Sequence, residues 1–137
     1  MMKFVRKIES FIKESINIVG DINSSCYFDE NDLIHNDHGA ARYSLFDDKI
    51  FLEYVIHGKI HRTDGPAEFG YYINGQCSHF GWWMNGKRHR EDGLAYASYS
   101  MDGRMVSSRY YIDDKELTDE QYLAYKRKKI IDEIMKD

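Results

Sequence analysis

The sequence predicts a mainly β protein of the α+β class. Its centre is one antiparallel β-meander of three repeated hairpins after a lone opening strand, with an α-helix at each end. Three observations predict this. A seven-residue phrase occurs twice in clear form, His61-Arg62-Thr63-Asp64-Gly65-Pro66-Ala67 and His89-Arg90-Glu91-Asp92-Gly93-Leu94-Ala95, and once in worn form, His35-Asn36-Asp37-His38-Gly39-Ala40-Ala41. From His35 to His61 is 26 residues and from His61 to His89 is 28, a period that signals a repeat array. Between the phrases lie aromatic runs broken by turn dipeptides, Asn74-Gly75 and Asp102-Gly103.

The chain divides into three segments of one domain. Residues 1–20 place Phe4, Ile8, Phe11, Ile12, Ser15, Ile16 and Val19 at helical spacing with lysines and glutamates opposite, so they read as an amphipathic capping helix stopped by Gly20. Residues 21–117 form the hairpin region. Ser24 to Glu30 supply the opening strand, because Phe28, Tyr54 and Trp82 each stand seven positions ahead of a phrase histidine. Copy one spans Ala41 to Ile56 around Asp47-Asp48-Lys49, and its hairpin is two residues short, which accounts for 26 against 28. That makes about seven strands. Residues 118–137 form the second cap. Thr118-Asp119-Glu120-Gln121 is a capping box, and the helix runs to about Met135 with Tyr122, Leu123, Ile130, Ile131 and Ile134 as its buried side. Lys126-Arg127-Lys128-Lys129 reads as a solvated face.

The register follows from the turn. With Asn74-Gly75 as a two-residue type I′ turn, Ile73 faces Gln76, Phe69 faces Phe80 and Ala67 faces Trp82. Alternation then puts Ala67, Phe69, Tyr71, Ile73, Phe80, Trp82 and Met84 on a first, apolar face. Its counterparts in copy three are Ala95, Ala97, Tyr99, Met101, Val106, Tyr110 and Ile112. Glu68, Gly70, Tyr72, Cys77, His79, Gly81 and Trp83 share the second face, with Arg109 and Tyr111 from copy three.

Composition excludes several classes. A formal net charge of −4 argues against a dedicated nucleic-acid binder and is too mild for an acidic mimic of DNA. The two cysteines, Cys26 and Cys77, have no metal-ligand spacing and fit a reduced, cytoplasmic chain. No apolar run is long enough to span a membrane, and charges interrupt the N-terminus too early for a signal peptide. No nucleotide, zinc-protease or serine-hydrolase motif occurs, so no cofactor, metal or catalytic residue is assigned.

His61, Asp64, Gly65, His89, Asp92 and Gly93 are assigned to the repeat corners. Equivalent positions in successive hairpins are two strand spacings apart, about 9–10 Å, too far for three phrase histidines to hold one ion. In the corner, aspartate bonds the backbone two residues on, glycine supplies φ > 0, and Arg62 or Arg90 pairs with a nearby carboxylate. Two readings of the second face stand open. Trp83 with Tyr72 forms an exposed aromatic patch, or Trp83 packs over Gly70 or Gly81.

The phrases at 61–67 and 85–93 resemble the MORN-like repeats of tailed-phage and giant-virus proteins, where Asn-Gly-Lys-x-His-Arg-x-Asp-Gly-Pro-Ala units alternate with aromatic strands. Asp114-Lys115-Glu116-Leu117-Thr118-Asp119-Glu120 resembles the ending of many such proteins, and the resemblance covers about residues 27–125. This chain departs from it at His38, Ala40 and Leu94 and throughout the first copy. The resemblance implies a small protein made in an infected cell and working in the host cytoplasm. The function expected is a non-enzymatic protein-interaction module, a viral accessory protein acting on a host factor, including the case of a counter-defence inhibitor. Its partner-binding residues are expected to be Tyr72, His79, Trp83, Arg109, Arg62 and Arg90. The alternatives are nucleic-acid or nucleotide binding through exposed aromatics and the basic run, a small His/Asp-dependent hydrolase, and a homo-oligomer joined through an edge strand or aromatic patch.

Overall fold

Strong β-formers alternate along residues 42–112, and the chain folds accordingly. The computed structural model describes residues 24–46 and 49–136. The amphipathic segment over 1–20 and the Asp47-Asp48 turn lie outside these residues. Eight strands form one sheet. They are β1 (Ser24–Cys26), β2 (Arg42–Phe46), β3 (Lys49–Glu53), β6 (Glu68–Tyr72), β7 (Cys77–Gly81), β10 (Tyr96–Tyr99), β11 (Met105–Ile112) and β12 (Lys115–Leu117), in that spatial order and antiparallel at each pairing. The first seven are the expected meander, and β12 adds one strand past it.

Each repeat holds a second, smaller hairpin that the sequence reading merged into the long strands. Val55–Ile56 (β4) pairs with Lys59–Ile60 (β5), and Trp83–Met84 (β8) pairs with Lys87–Arg88 (β9). The end of β11 with β12 is the third such ribbon. The type I′ turns sit here. Both central residues have positive φ at His57-Gly58 (45° and 79°), Asn85-Gly86 (52° and 80°) and Asp113-Asp114 (48° and 67°).

Asn74-Gly75 is not such a turn. Only Gly75 has positive φ, Gly75 N–H bonds Tyr72 C=O, and Tyr72 N–H bonds Gln76 C=O, so the loop has three residues. Phe69 still faces Phe80 and Glu68 faces Gly81, because a bulge at Ser78 absorbs the extra residue. Beyond the bulge Tyr71 pairs with Cys77, which moves Cys77 to the first face. Copy three repeats this with a bulge at Val106, so Met105 rather than Val106 faces Tyr99. Copy one pairs Phe46 with Lys49 and has no bulge, which is how its hairpin is two residues shorter.

The opening strand pairs with β2, and Phe28 bridges Ile34. The phrase histidines donate their N–H to Tyr54 and Trp82 C=O, but His35 donates to Tyr27. Tyr27, not Phe28, is the counterpart, because the Asp29–Leu33 loop is one residue longer than the other turns.

Burial is concentrated at the corners. Ala41, Ala67, Ala95 and Ala97 are fully buried, and the other buried apolar side chains among the described residues are Ala40, Ile50 and Val55. The aromatic rings on both sheet faces are half-buried. Helix α1 (Asp119–Ile134) opens on the expected capping box, with Gln121 N–H on Thr118 Oγ1 at 3.2 Å and Thr118 N–H on Gln121 Oε1 at 2.9 Å.

The predicted buried side of α1 is wrong. Leu123, Ile130, Ile131 and Ile134 are all exposed. Tyr122 does face inward as expected, but its companions there are Tyr125, Lys126 and Lys129. Tyr122 stacks on Tyr110 at 4.0 Å and donates its hydroxyl to Glu91 C=O, while Lys129 pairs with the Glu91 carboxylate. The reason is the surface it meets. The third corner is acidic at Glu91 and Asp92, so two lysines of the run read as a solvated face lie against it.

Candidate functional site

Two arrangements hold most of the polar chemistry, the corners and the second face. At the corner Arg62 Nε donates to Asp64 Oδ1 at 2.9 Å and Nη1 to Pro66 C=O at 3.1 Å, with the guanidinium 4.2 Å over the Tyr54 ring. Arg90 does the same with Asp92 and Leu94 C=O over Trp82 at 4.1 Å. These bonds hold Asp64 and Asp92 below the usual carboxylate range. In the worn copy Asn36 Nδ2 reaches Ala40 C=O.

The corner glycine has a different cause from the one expected. Neither Gly65 nor Gly93 has positive φ. A Cβ there would lie 3.1 Å from the guanidinium carbon of Arg62 or Arg90, so glycine makes room for the arginine. Arg62 and Arg90 thereby spend Nε and Nη1 on their own corners.

Each phrase histidine ties its corner to the next ribbon. His35 Nδ1 accepts His57 N–H at 3.0 Å, His61 Nδ1 accepts Asn85 N–H at 3.0 Å and His89 Nδ1 accepts Asp113 N–H at 3.1 Å. An accepting Nδ1 puts the ring proton of neutral imidazole on Nε2. In copy one this has a further consequence. Asp29, His35 and His57 bring potential ligand atoms within 4.8 Å of one another, a cluster the sequence did not suggest. His35 has no lone pair left for an ion, since Nδ1 holds the amide and Nε2–H faces Asp37 at 3.1 Å. Its ring also stacks on His57 at 4.2 Å, so their lone pairs do not converge. Asp29 is satisfied by Asn31 N–H, Leu33 N–H and His57 Nδ1. Hydrogen bonds account for the cluster as it stands.

The second face centres on Arg88. Its guanidinium carbon lies 5.1 Å from the Trp83 ring, 5.1 Å from Tyr96 and 5.4 Å from Tyr111. Trp83 is its cross-strand neighbour in the ribbon, and Tyr111 comes from the next ribbon along. Nε of Arg88 is buried without a hydrogen-bond acceptor, and no carboxylate pairs with the guanidinium among the described residues. Beside it Glu68 accepts from Trp83 Nε1 at 2.9 Å and meets His79 Nε2 at 3.1 Å. Burial pushes the Glu68 carboxyl up, but the bonds from His79 and Trp83, helped by the charges of His79 and Arg88, outweigh it and hold it below the usual range. His79 also neighbours Phe51 and Tyr96, which makes the patch continuous across three hairpins.

Of the residues expected to bind a partner, His79 and Trp83 meet here. Trp83 also packs over glycine, since a Cβ on Gly81 would lie 2.9 Å from its Nε1. Tyr72 stands four residues along β6 from Glu68 and spends its hydroxyl on Tyr99 C=O. Arg109 pairs with Glu116 at 2.9 Å. Arg88 and Tyr96 were missed. Reading Asn85-Gly86 as the I′ turn would have set Arg88 opposite Trp83.

Ser78 Oγ lies 3.3 Å from His79 Nδ1, so Ser78, His79 and Glu68 have the atom order of a nucleophile, base and acid. Ser78 is only 5% exposed and sits in the bulge against Gly70, which leaves no room for a substrate carbonyl. No family model matches the chain, nor does any curated protein or solved structure.

Proposed function

We propose that the chain is a non-enzymatic protein-binding module and that its contact surface is the Arg88 patch with Trp83, Tyr96, Tyr111 and His79. The observation that carries this is the Arg88 guanidinium, whose Nε is buried without an acceptor and which pairs with no carboxylate among the described residues. A buried donor with no acceptor costs stability, and a well-packed apolar side chain of similar length would avoid that cost. Arginine amid tryptophan and tyrosine is also the usual make-up of an interface hot spot. A carboxylate or backbone carbonyl from a partner would take the unused guanidinium donors. The resemblance to viral repeat proteins supports a host factor as that partner, and the cytoplasm as the place of action.

The test substitutes Arg88→Met, which keeps the length and removes the donors. Melting temperature should hold or rise, while affinity for a partner identified with the wild type should fall at least about tenfold. A variant that unfolds, or one that binds as well as the wild type, would assign Arg88 to packing alone.

A further inference from the structure

Helix α1 reverses the usual arrangement of a helix on a sheet, in which the apolar stripe meets the core and the charges meet water. Here Tyr122, Tyr125, Lys126 and Lys129 face the third corner. Leu123, Ile130, Ile131 and Ile134 point away and are between 52% and 70% exposed. The helix cannot roll to bury them without giving up the Tyr122 stack on Tyr110 and the Lys129 pair with Glu91. With Arg127 these four residues follow the spacing of one helix face, the pattern of a helix–helix seam.

The charges of the helix say what can cover that seam. α1 carries four acids and four bases, so it has no net charge to draw it to an anionic membrane surface. They lie in blocks. Residues 126–129 are all basic, and Asp132 and Glu133 follow as an acidic pair. A parallel pair of such helices would set each basic block against itself. An antiparallel pair sets the basic block of one beside the acidic pair of the other, so the helix is complementary to its own reverse.

We propose that α1 pairs antiparallel with α1 of a second copy, about a two-fold axis between Ile130 and Ile131. Ile130 of each copy then stands level with Ile131 of the other. Arg127 stands level with Ile134, laying its stem on the isoleucine and its guanidinium beside Glu133 of the other copy. The two Arg127 are about 10 Å apart along the axis, where a parallel pair would bring them face to face. Covering the exposed stripe removes about 450 Å² per copy, about 900 Å² in all, the size of a weak and reversible interface. Tyr110, Trp82 and Met84 under the helix belong to the first face, whereas the Arg88 patch lies on the second. Either surface can therefore fail without the other.

The experiment is sedimentation velocity on the full chain from micromolar to millimolar concentration. Wild type should pass from monomer to twice the monomer mass. Ile131→Glu should stay monomeric and keep the wild-type circular dichroism, since Ile131 is exposed in the single chain. Arg127→Glu should weaken the dimer at least about tenfold, because it then faces Glu133, and adding Glu133→Lys should restore it. A wild type that stays monomeric overturns the proposal. If Ile131→Glu then lowers the melting temperature, the stripe belongs to residues 1–23 of the same chain, and if it does not, the stripe is left to a different protein. A dimer indifferent to Ile131→Glu places the contact elsewhere, and one indifferent to Arg127→Glu is not antiparallel, so either result equally overturns the pairing.

Discussion

The corners at Asn36 and at Arg90 follow the same backbone path with different side chains. In both, a histidine Nδ1 holds the first amide of the neighbouring ribbon turn, and a buried alanine closes the phrase. At the second, Arg90 adds a stack on Trp82, a bond to Leu94 C=O and an ion pair with Asp92. At the first, Asn36 makes only the bond to Ala40 C=O and accepts His38 N–H. The path is therefore set by the histidine, the alanine and the ribbon stack. Arginine is an added lock, and glycine is needed only where the lock is present.

The largest break in this comparison is removal of the lock. Arg90→Ala should cost about 2–3 kcal/mol in denaturant unfolding, against about 1 kcal/mol for Asn36→Ala, because the arginine loses a stacked ring and charge-assisted bonds together. Next comes the glycine. Gly93→Ala forces a methyl to 3.1 Å from the guanidinium and should cost about 1–2 kcal/mol. Gly39→Ala meets nothing nearer than 3.8 Å and should stay within about 0.5 kcal/mol. Equal costs at the two glycines would show that the arginine does not need the space.

Smaller still is His57→Asn, which puts into copy one the turn residue that copy two carries at Asn85. It should stay within about 0.5 kcal/mol, since asparagine adopts the same left-handed φ. A loss well beyond that would give the Asp29–His35–His57 cluster a role in stability that the other repeats lack.

The two faces of the sheet differ in their response to pH. On the second face Glu68 has a folded pKa below its unfolded value, so it binds its proton less readily when folded. Its contribution is present above the unfolded pKa and fades as pH falls through the folded one. Acid unfolding should thus be shallower in Glu68→Gln than in wild type below the carboxylate range. On the first face burial, with the Cys77 charge, pushes Tyr71 up to about 12. That contribution is full below the unfolded value and fades as pH rises through about 12. Tyr71→Phe should flatten the alkaline limb and leave the acid limb unchanged.

Much of the fold was legible because a repeat prints its rules several times over. The period, the meander and the capping box at Thr118 all follow from local patterns that recur or that chemistry makes specific, whereas Phe69 faces Phe80 as expected only because the Ser78 bulge offsets the longer loop. The turn assignment was less secure. Asn-Gly occurs at both ends of the repeat, and the dipeptide does not say which one closes a two-residue loop. The bulges at Ser78 and Val106 were not legible, since a bulge is a mismatch in length between two strands and appears only once both are paired. The predicted inner side of α1 failed for a related reason. Helical periodicity finds an apolar stripe, but the surface on offer at Glu91 and Asp92 was acidic.

The sequence by itself determined that this chain is a repeated antiparallel sheet, since alternation and a fixed period are properties of neighbours along the chain. Tertiary structure decided which arginines are spent inside the fold and which is not. Arg62, Arg88 and Arg90 stand within two repeats and look alike in one dimension. Asp64 and Asp92 pair with Arg62 and Arg90, while Arg88 stands among Trp83, Tyr96 and Tyr111 with no carboxylate partner among the described residues. That no described strand or helix covers the outer edge of Met105–Arg109 was decided the same way, because where the last helix lies depends on its contacts, and these draw it back over the corners.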